Sequence, residues 1–392
     1  MILTILLVII YLAFISLGLP DSLLGSAWPS MYLEMGAKIS YAGIVSMTIA
    51  GGTIISSIFS AKLIRRFGSG KVTVVSVTMT AFALLGFSFS TKFYHLCIFA
   101  IPLGLGAGSV DAALNNFVAL RYQAKHMNWL HSFWGIGAMT GPIIMSYYLE
   151  RGIIFRQGYQ TIAIIQFALV LILILSLPLW KKVMIKKDNL TKESKQSFRL
   201  TNLLTLPGTK AVLIALFCYC AIEATMGLWG ASYVVLIHGI TPEKAAKWAS
   251  LFYFGITFGR MLSGFITYKL NCRQMIYLGL FFITLGIILI ILPFAQVSLI
   301  SGFVIVGLGC APVFPSILHQ TPDNFGKEYS QSIMGLQMAC AYVGSTFMPP
   351  LFGFLANLIG YNLLPIYIGA LLILMFLMIK VLNQQVNKKR LL

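Results

Sequence analysis

Three carboxylates lie inside stretches of the sequence that are otherwise apolar, namely Asp21, Asp111 and Glu223. They are a large share of the ten acidic residues in the 392-residue chain. An ionisable side chain at the centre of a bilayer costs at least ~2.5 kcal/mol, and it persists mainly where it serves an ion or substrate path. A carboxylate in a low-dielectric medium also binds its proton more tightly than in water, which allows proton exchange near neutral pH. The three acids therefore predict proton-coupled transport across a membrane.

The neighbours of two of these acids predict a bent helix and close helix packing. Asp21 directly follows Pro20, and a proline inside a helix frees a backbone carbonyl group and bends the helix. Asp111 follows three small residues that let helices approach closely, which would place the acid in a tight interior seam. These residues are Gly104, Gly106 and Gly108.

We assign a role to each acid as a hypothesis. Asp111 is predicted to be the principal proton carrier, and Asp21 a second carrier or a substrate ligand. Glu223 is predicted to be a substrate ligand. A structural alternative stays open for each acid, which would then pair with the lone intramembrane cation Arg260 or with backbone groups.

The elements that position these acids are predicted to be membrane-spanning helices. The chain is 58% hydrophobic and only 10% charged, which is more apolar surface than a soluble domain can hide. The first apolar run has no basic leader and no small-residue cleavage site, so we interpret it as a retained span rather than a signal peptide. The sequence predicts an all-α membrane protein with twelve spans, at about residues 2–28, 41–61, 72–90, 94–120, 129–149, 160–180, 211–236, 246–268, 275–294, 297–318, 331–355 and 363–382.

The basic residues predict the orientation of the chain. With a cytoplasmic N-terminus, most of the 28 Lys and Arg residues fall in cytoplasmic loops and at the C-terminus, in agreement with the positive-inside rule. The densest basic run, from Lys181 to Arg199, lies between the sixth and seventh spans, where it would contact anionic lipid headgroups rather than nucleic acid. We expect a multi-pass protein of a cell membrane, of the bacterial plasma-membrane type, with both termini in the cytoplasm.

The two halves of the sequence resemble each other. A shift of about 203 residues places Gly104–Gly106 on Gly307–Gly309, and a shift of 202 places Asp21 on Glu223. Two six-helix halves related by an axis along the membrane normal form a known transporter design, with the substrate site at the midplane between the halves. The predicted domains are an N-terminal six-helix bundle at residues 1–180, a cytoplasmic linker at 181–210 and a C-terminal six-helix bundle at 211–392.

The loop after the second predicted span carries a family resemblance. Its run SAKLIRRFGSGK, residues 60–71, resembles the GxxxDRxGRR/K signature of the major facilitator superfamily. Ser60 and Arg65 stand where the family has glycine and aspartate. The family's loop latches the inner gate, so the resemblance implies a gating role for Arg65, Arg66, Gly68 and Lys71. The alternative is a basic anchor at the cytoplasmic surface.

The second half carries a related motif in its second predicted span. The run GRMLSG at residues 259–264 resembles the GRxxxG motif in the eighth helix of sugar-type members of the superfamily. The resemblance implies that Arg260 also belongs to the gating residues.

Within the superfamily, the sequence is most similar to the fucose/glucose proton symporters. These carry one acid in the first helix and another in the fourth, matched here by Asp21 and Asp111. The run AIEAT at 221–225 resembles the GIET of bacterial glucose/mannose symporters, and HSFWGIG at 131–137 resembles their fifth-helix QxFNxLG. The resemblance implies the major facilitator fold, alternating access, a monomer, and uptake of a hexose-like sugar together with protons.

Sugar recognition requires amide and carboxylate groups around the hydroxyls and an aromatic face against the ring. An amide in lipid is costly without partners, which favours a binding role for amides in the spans. Each tryptophan has the alternative of an interface belt or core packing, and the histidine that of a helix cap. The predicted substrate-binding residues besides Glu223 are Asn115, Asn116, His131, Gln166, Gln337, Trp28, Trp134 and Trp229.

Two other classes of function stay open. Gly137, Gly141 and Pro142 resemble part of the GxxxGPxxGG motif of drug/proton antiporters, which would indicate an exporter, and helix packing explains the same residues equally well. A membrane enzyme or sugar sensor is the second alternative. The sequence has no P-loop, metal-ligand cluster or GxSxG motif, so we expect no enzyme activity, no metal and no cofactor.

Overall fold

The computed structural model describes residues 2–122, 124–185, 200–266, 269–292 and 295–391. Regular structure in these residues is entirely helical. Two short 3-10 segments, Ile39–Tyr41 and Tyr361–Leu363, accompany the α-helices. In chain order the α-helices are α1 (Ile2–Asp21), α2 (Leu23–Met31), α3 (Ala42–Phe67), α4 (Ser69–Phe89), α5 (Phe93–Arg121), α6 (Ala124–Glu150), α7 (Phe155–Ile185), α8 (Leu200–Thr205), α9 (Thr209–His238), α10 (Pro242–Ile266), α11 (Cys272–Ile291), α12 (Ala295–His319), α13 (Thr321–Phe325), α14 (Lys327–Ile359) and α15 (Leu364–Leu391).

Ten helical segments of the described chain are long and apolar enough to cross a membrane, with α1 and α2 counted as one segment. Two further predicted spans correspond to α6 and α10, which have 27 and 25 residues. Each is roughly 40 Å long, which exceeds the bilayer core, but their first turns are polar. Lys125 and His126 lie in the first turn of α6, and Glu243 and Lys244 in that of α10. The all-α membrane fold is confirmed, and the helices are consistent with twelve spans.

The first span is interrupted beside Pro20. Helix α1 ends at Asp21 and α2 begins at Leu23. Because proline has no N–H, the carbonyl oxygen of Ser16 one turn earlier loses its helical donor. The buried side chain of Gln166 replaces that donor, since its Nε2 donates to the Ser16 oxygen at 2.9 Å. The interruption leaves the Asp21 side chain at a helix end rather than in the middle of a helix.

The described residues form two compact units. The first comprises those within Met1–Lys192 and Val234–Ser250, and the second those within Glu193–Tyr233 and Leu251–Leu392. In the first unit the Ser146 hydroxyl donates to the Glu243 carbonyl oxygen at 2.9 Å, which ties α6 to the start of α10. Residues 186–199 of the predicted linker lie outside the described residues, and α8 lies in its last part. The predicted bundle boundaries stay a prediction.

Close packing at glycines repeats from one unit to the other. In the first unit, a Cβ atom at Gly104 would collide with the carbonyl oxygen of Ile49 in α3. In the second unit, a Cβ atom at Gly307 would collide with the carbonyl oxygen of Phe252 in α10. Both members of the contact are displaced by 203 residues along the chain, which is the shift that relates the halves of the sequence.

The glycines two residues later, Gly106 and Gly309, also make contacts that are related by a shift of 203 residues. A Cβ atom at Gly106 would lie 2.6 Å from the Ser76 oxygen in α4, and one at Gly309 would lie 2.7 Å from the Gly279 oxygen in α11. These partners are again 203 residues apart. The internal repeat of the sequence is therefore a repeat of helix-to-helix contacts, and in the first unit it packs α5, the helix that carries Asp111, against α3 and α4.

Candidate functional site

The first unit holds two of the three acids, one at the break between α1 and α2 and one within α5. The indole Nε1 of Trp134 donates to Asp21 Oδ2 at 2.6 Å. The amide Nδ2 of Asn115 donates to Asp111 Oδ1 at 2.8 Å. The two carboxylates are close enough to interact electrostatically. The structure therefore brings together four of the predicted site residues, and each acid accepts a hydrogen bond from a neutral donor.

Several polar side chains on α1, α5 and α6 are accessible in the unit, including those of the two acids. Asp21, Asn116 and His131 are exposed, and Asp111 is half-buried. Asn115 Oδ1 is buried and has no hydrogen-bond partner in the described part of the chain. Contact between a carboxylate and hydrocarbon is costly, so accessible acids inside a span indicate a polar path for water, protons or a solute.

Glycines set the short distance between α1 and α6. A Cβ atom at Gly18 would collide with the carbonyl oxygen of Trp134, and Cβ atoms at Gly137 and Gly141 would enter the α1 backbone. This close approach brings the Trp134 indole within hydrogen-bond distance of Asp21. In the structure Gly137 and Gly141 therefore serve helix packing, which was the alternative to an antiporter role for the motif at residues 137–142.

Two predicted aromatic platforms lie in the cores of their units. Trp28 and Trp229 are fully buried. Trp28 donates to the Ile39 carbonyl oxygen at 2.6 Å, and Trp229 donates to the Pro349 carbonyl oxygen at 2.8 Å. Trp229 also packs against the ring of Phe352 at a centroid distance of 5.8 Å. Both side chains thus have structural partners.

The two predicted glutamine ligands are buried as well. Gln166 accepts a hydrogen bond from Thr80 at 2.8 Å through Oε1, while its Nε2 donates to the carbonyl freed by Pro20. Gln337 accepts from Thr321 at 3.0 Å, and its buried Nε2 has no partner in the described residues. Gln166 therefore completes the interrupted first helix.

The second unit holds the third acid in an ion pair. Glu223 Oε1 lies 3.6 Å from Arg260 Nη2, and these side chains are only 19% and 18% exposed. The buried Tyr219, one turn before Glu223 in α9, interacts electrostatically with both charges. The Cys310 thiol lies in the same cluster. Arg260, which the motif resemblance assigned to gating, is here the partner of the predicted substrate ligand.

The loop that resembles the superfamily signature is a tight, exposed helix connection. Helix α3 ends at Phe67, and Gly68 adopts a φ of +81°, a region that other residues rarely occupy. Arg65, Arg66 and Lys71 are exposed, and the Arg66 guanidinium lies over the Phe67 ring at 5.3 Å. The conformation explains the glycine of the motif, and the gating role stays a prediction.

Two residues that contact the predicted site residues were not identified from the sequence. Tyr219 lies beside the Glu223–Arg260 pair, and Ser16 supplies the carbonyl that Gln166 satisfies. Tyr219 is four residues before Glu223, and Ser16 is four residues before Pro20. Residues at this spacing are neighbours on a helix, so the signal was present in the sequence.

Comparisons with known proteins agree with this architecture. The family model described as "Major Facilitator Superfamily" matches residues 10–345 and 248–391. "Bypass of stop codon protein 6" of Saccharomyces cerevisiae (strain ATCC 204508 / S288c) is 24% identical over 391 residues, covering 90% of this chain and 77% of that protein. "Glucose/mannose transporter GlcP" of Bacillus subtilis (strain 168) is 21% identical over 369 residues, covering 88% of this chain and 87% of that protein.

Solved structures show the same fold. A crystal structure of the nucleoside transporter NupG superposes with a TM-score of 0.78 at 12% sequence identity, covering 95% of this chain and 98% of that one. The family match extends over far more than half of the sequence, and the helices agree with it. The chain therefore belongs to the Major Facilitator Superfamily, and it is a multi-pass membrane transporter of small molecules rather than an enzyme.

Proposed function

We propose that the chain takes up a hexose-like sugar in symport with protons, by alternating access. The observation that carries the proposal is the contrast between the acids of the two units. Asp21 and Asp111 accept hydrogen bonds from an indole and an amide, whereas Glu223 is paired with Arg260.

A neutral donor and a cation have different effects on a carboxylate in a membrane. A cation within 4 Å interacts directly with a carboxylate, so our proposal does not assign proton transfer to the Glu223–Arg260 pair. A neutral hydrogen bond favours the charged form less, and desolvation and a nearby second acid oppose it. Asp111 and Asp21 are therefore the groups that change protonation, with the half-buried Asp111 as the principal carrier.

The same contrast assigns substrate contacts. The Glu223 carboxyl group and the Arg260 guanidinium together offer acceptors and donors to sugar hydroxyls. In the first unit we assign substrate contacts to Asn115 and Asn116 of α5, the helix that carries Asp111, and to the exposed His131 of α6. The 21% identity to a protein named as a glucose/mannose transporter supports a sugar as the substrate class.

We propose structural roles for the four buried candidates. Trp28, Trp229 and Gln166 have their polar groups engaged inside their units, and Gln337 is fully buried. Trp134 keeps its predicted role, because its indole is hydrogen-bonded to Asp21 and only partly buried. In our proposal the accessible part of its ring contacts the apolar face of a sugar.

Coupling follows from charge neutralisation. A charged Asp111 disfavours a closed, dehydrated intermediate, and its protonation removes that cost. A sugar that binds the protonated form better shifts the population toward the state that releases both on the other side. In this scheme the proton and the sugar cross together.

The test is uptake of labelled hexoses into proteoliposomes with an imposed pH gradient. Wild-type protein should accumulate a hexose above its external concentration. Asp111→Asn should abolish accumulation and keep sugar exchange, whereas Glu328→Gln, which removes an exposed acid at the start of α14, should accumulate sugar like wild type. Extrusion of an amphiphilic dye without hexose uptake would support the antiport exporter instead.

A further inference from the structure

The second unit has an apolar groove between α11 and α15 on its outer surface. The groove has a volume of about 250 Å³. Its outward orientation follows from its large side chains, since Ile288, Ile373 and Phe376 are 47%, 63% and 44% exposed. Both helices are membrane-spanning candidates, so the surrounding medium at this depth is lipid. The groove lining consists of Leu280, Thr284, Ile287, Ile288, Gly369, Leu372, Ile373 and Phe376.

The chemistry of the groove selects an apolar occupant. Thr284 is its sole polar side chain, and its hydroxyl already donates to the Leu280 carbonyl oxygen at 2.8 Å. Gly369 leaves empty space at the bottom of the groove, because a Cβ atom there would meet no atom within 4 Å. The volume is below the ~300–1,000 Å³ of cavities that enclose drug-sized ligands, which suits a single hydrocarbon chain.

Polar and aromatic side chains adjoin one end of the groove. The rings of Tyr277 and Phe376 meet at a centroid distance of 6.2 Å. Asn383 Nδ2 donates to the Tyr277 hydroxyl at 3.2 Å. These residues lie toward the start of α11 and the end of α15, where the two antiparallel helices reach one face of the membrane.

Two exposed cations follow on the same helix faces. Arg273 is four residues before Tyr277, and Lys380 is four residues after Phe376. Residues at this spacing lie above one another on a helix, so both cations are aligned with the groove. The N-terminus of α11 adds its positive partial charge at the same level. A molecule with an anionic headgroup at this position would have its apolar tail directed along the groove.

We propose that this surface binds one anionic phospholipid, with its phosphate beside Arg273 and Lys380 and an acyl chain in the groove. Leu280 lies about 10 Å along α11 from Arg273, so the distal part of the chain occupies the groove. Under the positive-inside orientation this lipid belongs to the cytoplasmic leaflet. The site is separate from the acids of the transport proposal and does not depend on that proposal.

The first experiment titrates the full-length protein in detergent with phosphatidylglycerol or phosphatidylcholine and counts bound lipids by native mass spectrometry. Gly369→Leu fills the groove without a collision and should weaken phosphatidylglycerol binding at least about fivefold. Gly51→Leu is the matched control, because Gly51 is also helical, half-buried and open to space. Wild-type binding by Gly369→Leu would overturn the proposal.

The second experiment tests the headgroup and does not depend on the groove variant folding well. Arg273→Gln combined with Lys380→Gln should remove the preference for phosphatidylglycerol over phosphatidylcholine. Lys92→Gln combined with Lys247→Gln, which removes two exposed cations away from the groove, should keep it. In parallel, Phe376→Trp should be quenched more strongly by phosphatidylglycerol with brominated acyl chains than by brominated phosphatidylcholine. Equal quenching by the two lipids, or a preference retained without the cations, would overturn the anionic assignment.

Discussion

Removal of Arg260 should destabilise the second unit by leaving Glu223 without its cation. The closest charged atoms are 3.6 Å apart. At an effective dielectric constant of ~20, this distance corresponds to an attraction of roughly 4.6 kcal/mol. Breaking a buried pair by removing one partner typically costs about 3–5 kcal/mol. Because each side chain keeps nearly a fifth of its surface exposed, solvent screening reduces the expected cost of Arg260→Met to about 2–3 kcal/mol.

The assay is thermal unfolding of the purified protein in detergent, followed by tryptophan fluorescence. A loss of this size should lower the Tm by about 2–4 °C, because the unfolding entropy of 392 residues is roughly 0.8 kcal/mol/K. Adding Glu223→Gln should recover at least half of that loss, because the double variant has no uncompensated charge. Arg65→Met, which removes an exposed arginine, should leave the Tm within about 1 °C of wild type. An unchanged Tm for Arg260→Met, or no recovery in the double variant, would refute a stabilising pair.

Three further predictions concern the first unit. Gln166→Leu should destabilise the protein by about 1–3 kcal/mol, measured as a lower Tm, because the carbonyl freed by Pro20 then lacks a donor. Gly104→Val should abolish folded expression, measured by size-exclusion chromatography, since its side chain would enter the α3 backbone, whereas Gly51→Val in open space should be tolerated. Trp134→Phe should reduce hexose uptake about tenfold in kcat/KM through loss of its bond to Asp21, and equal activity of this variant and wild type would contradict that contact.

The helical architecture could be predicted from the sequence because it depends on local runs of apolar residues. Runs of about 20 apolar residues must form helices in a bilayer, where backbone groups have no other partners. The internal repeat could be predicted for a different reason. Glycines at Gly104–Gly106 and Gly307–Gly309 mark the places where backbones touch, and the structure shows the same contacts in both units.

The roles of individual polar residues were harder to predict from the sequence. Gln166 and Asn115 are both amides in spans, but Gln166 has partners on two other helices, and Thr80 is 86 residues away in the sequence. Periodicity shows that a residue lies in a span, and it does not show which distant helix satisfies it. Pro20 is the exception, since a proline in a helix requires a substitute donor for the carbonyl four residues earlier.

The pairing of Glu223 was an open alternative that geometry resolves. The sequence offered one intramembrane cation, Arg260, and three acids that were candidates for it. The structure pairs it with Glu223 and leaves Asp21 and Asp111 with neutral donors. This selection could not follow from composition, because it depends on which faces of α9 and α10 meet.

The most direct measurement follows protons rather than sugar. Proteoliposomes loaded with a pH-sensitive dye and held without a pH gradient should acidify when hexose is added outside, because in the proposed symport each sugar enters with protons. Asp111→Asn protein should move hexose down its gradient with no change in internal pH. Acidification by this variant at the wild-type rate would contradict the assignment of Asp111 as the proton carrier.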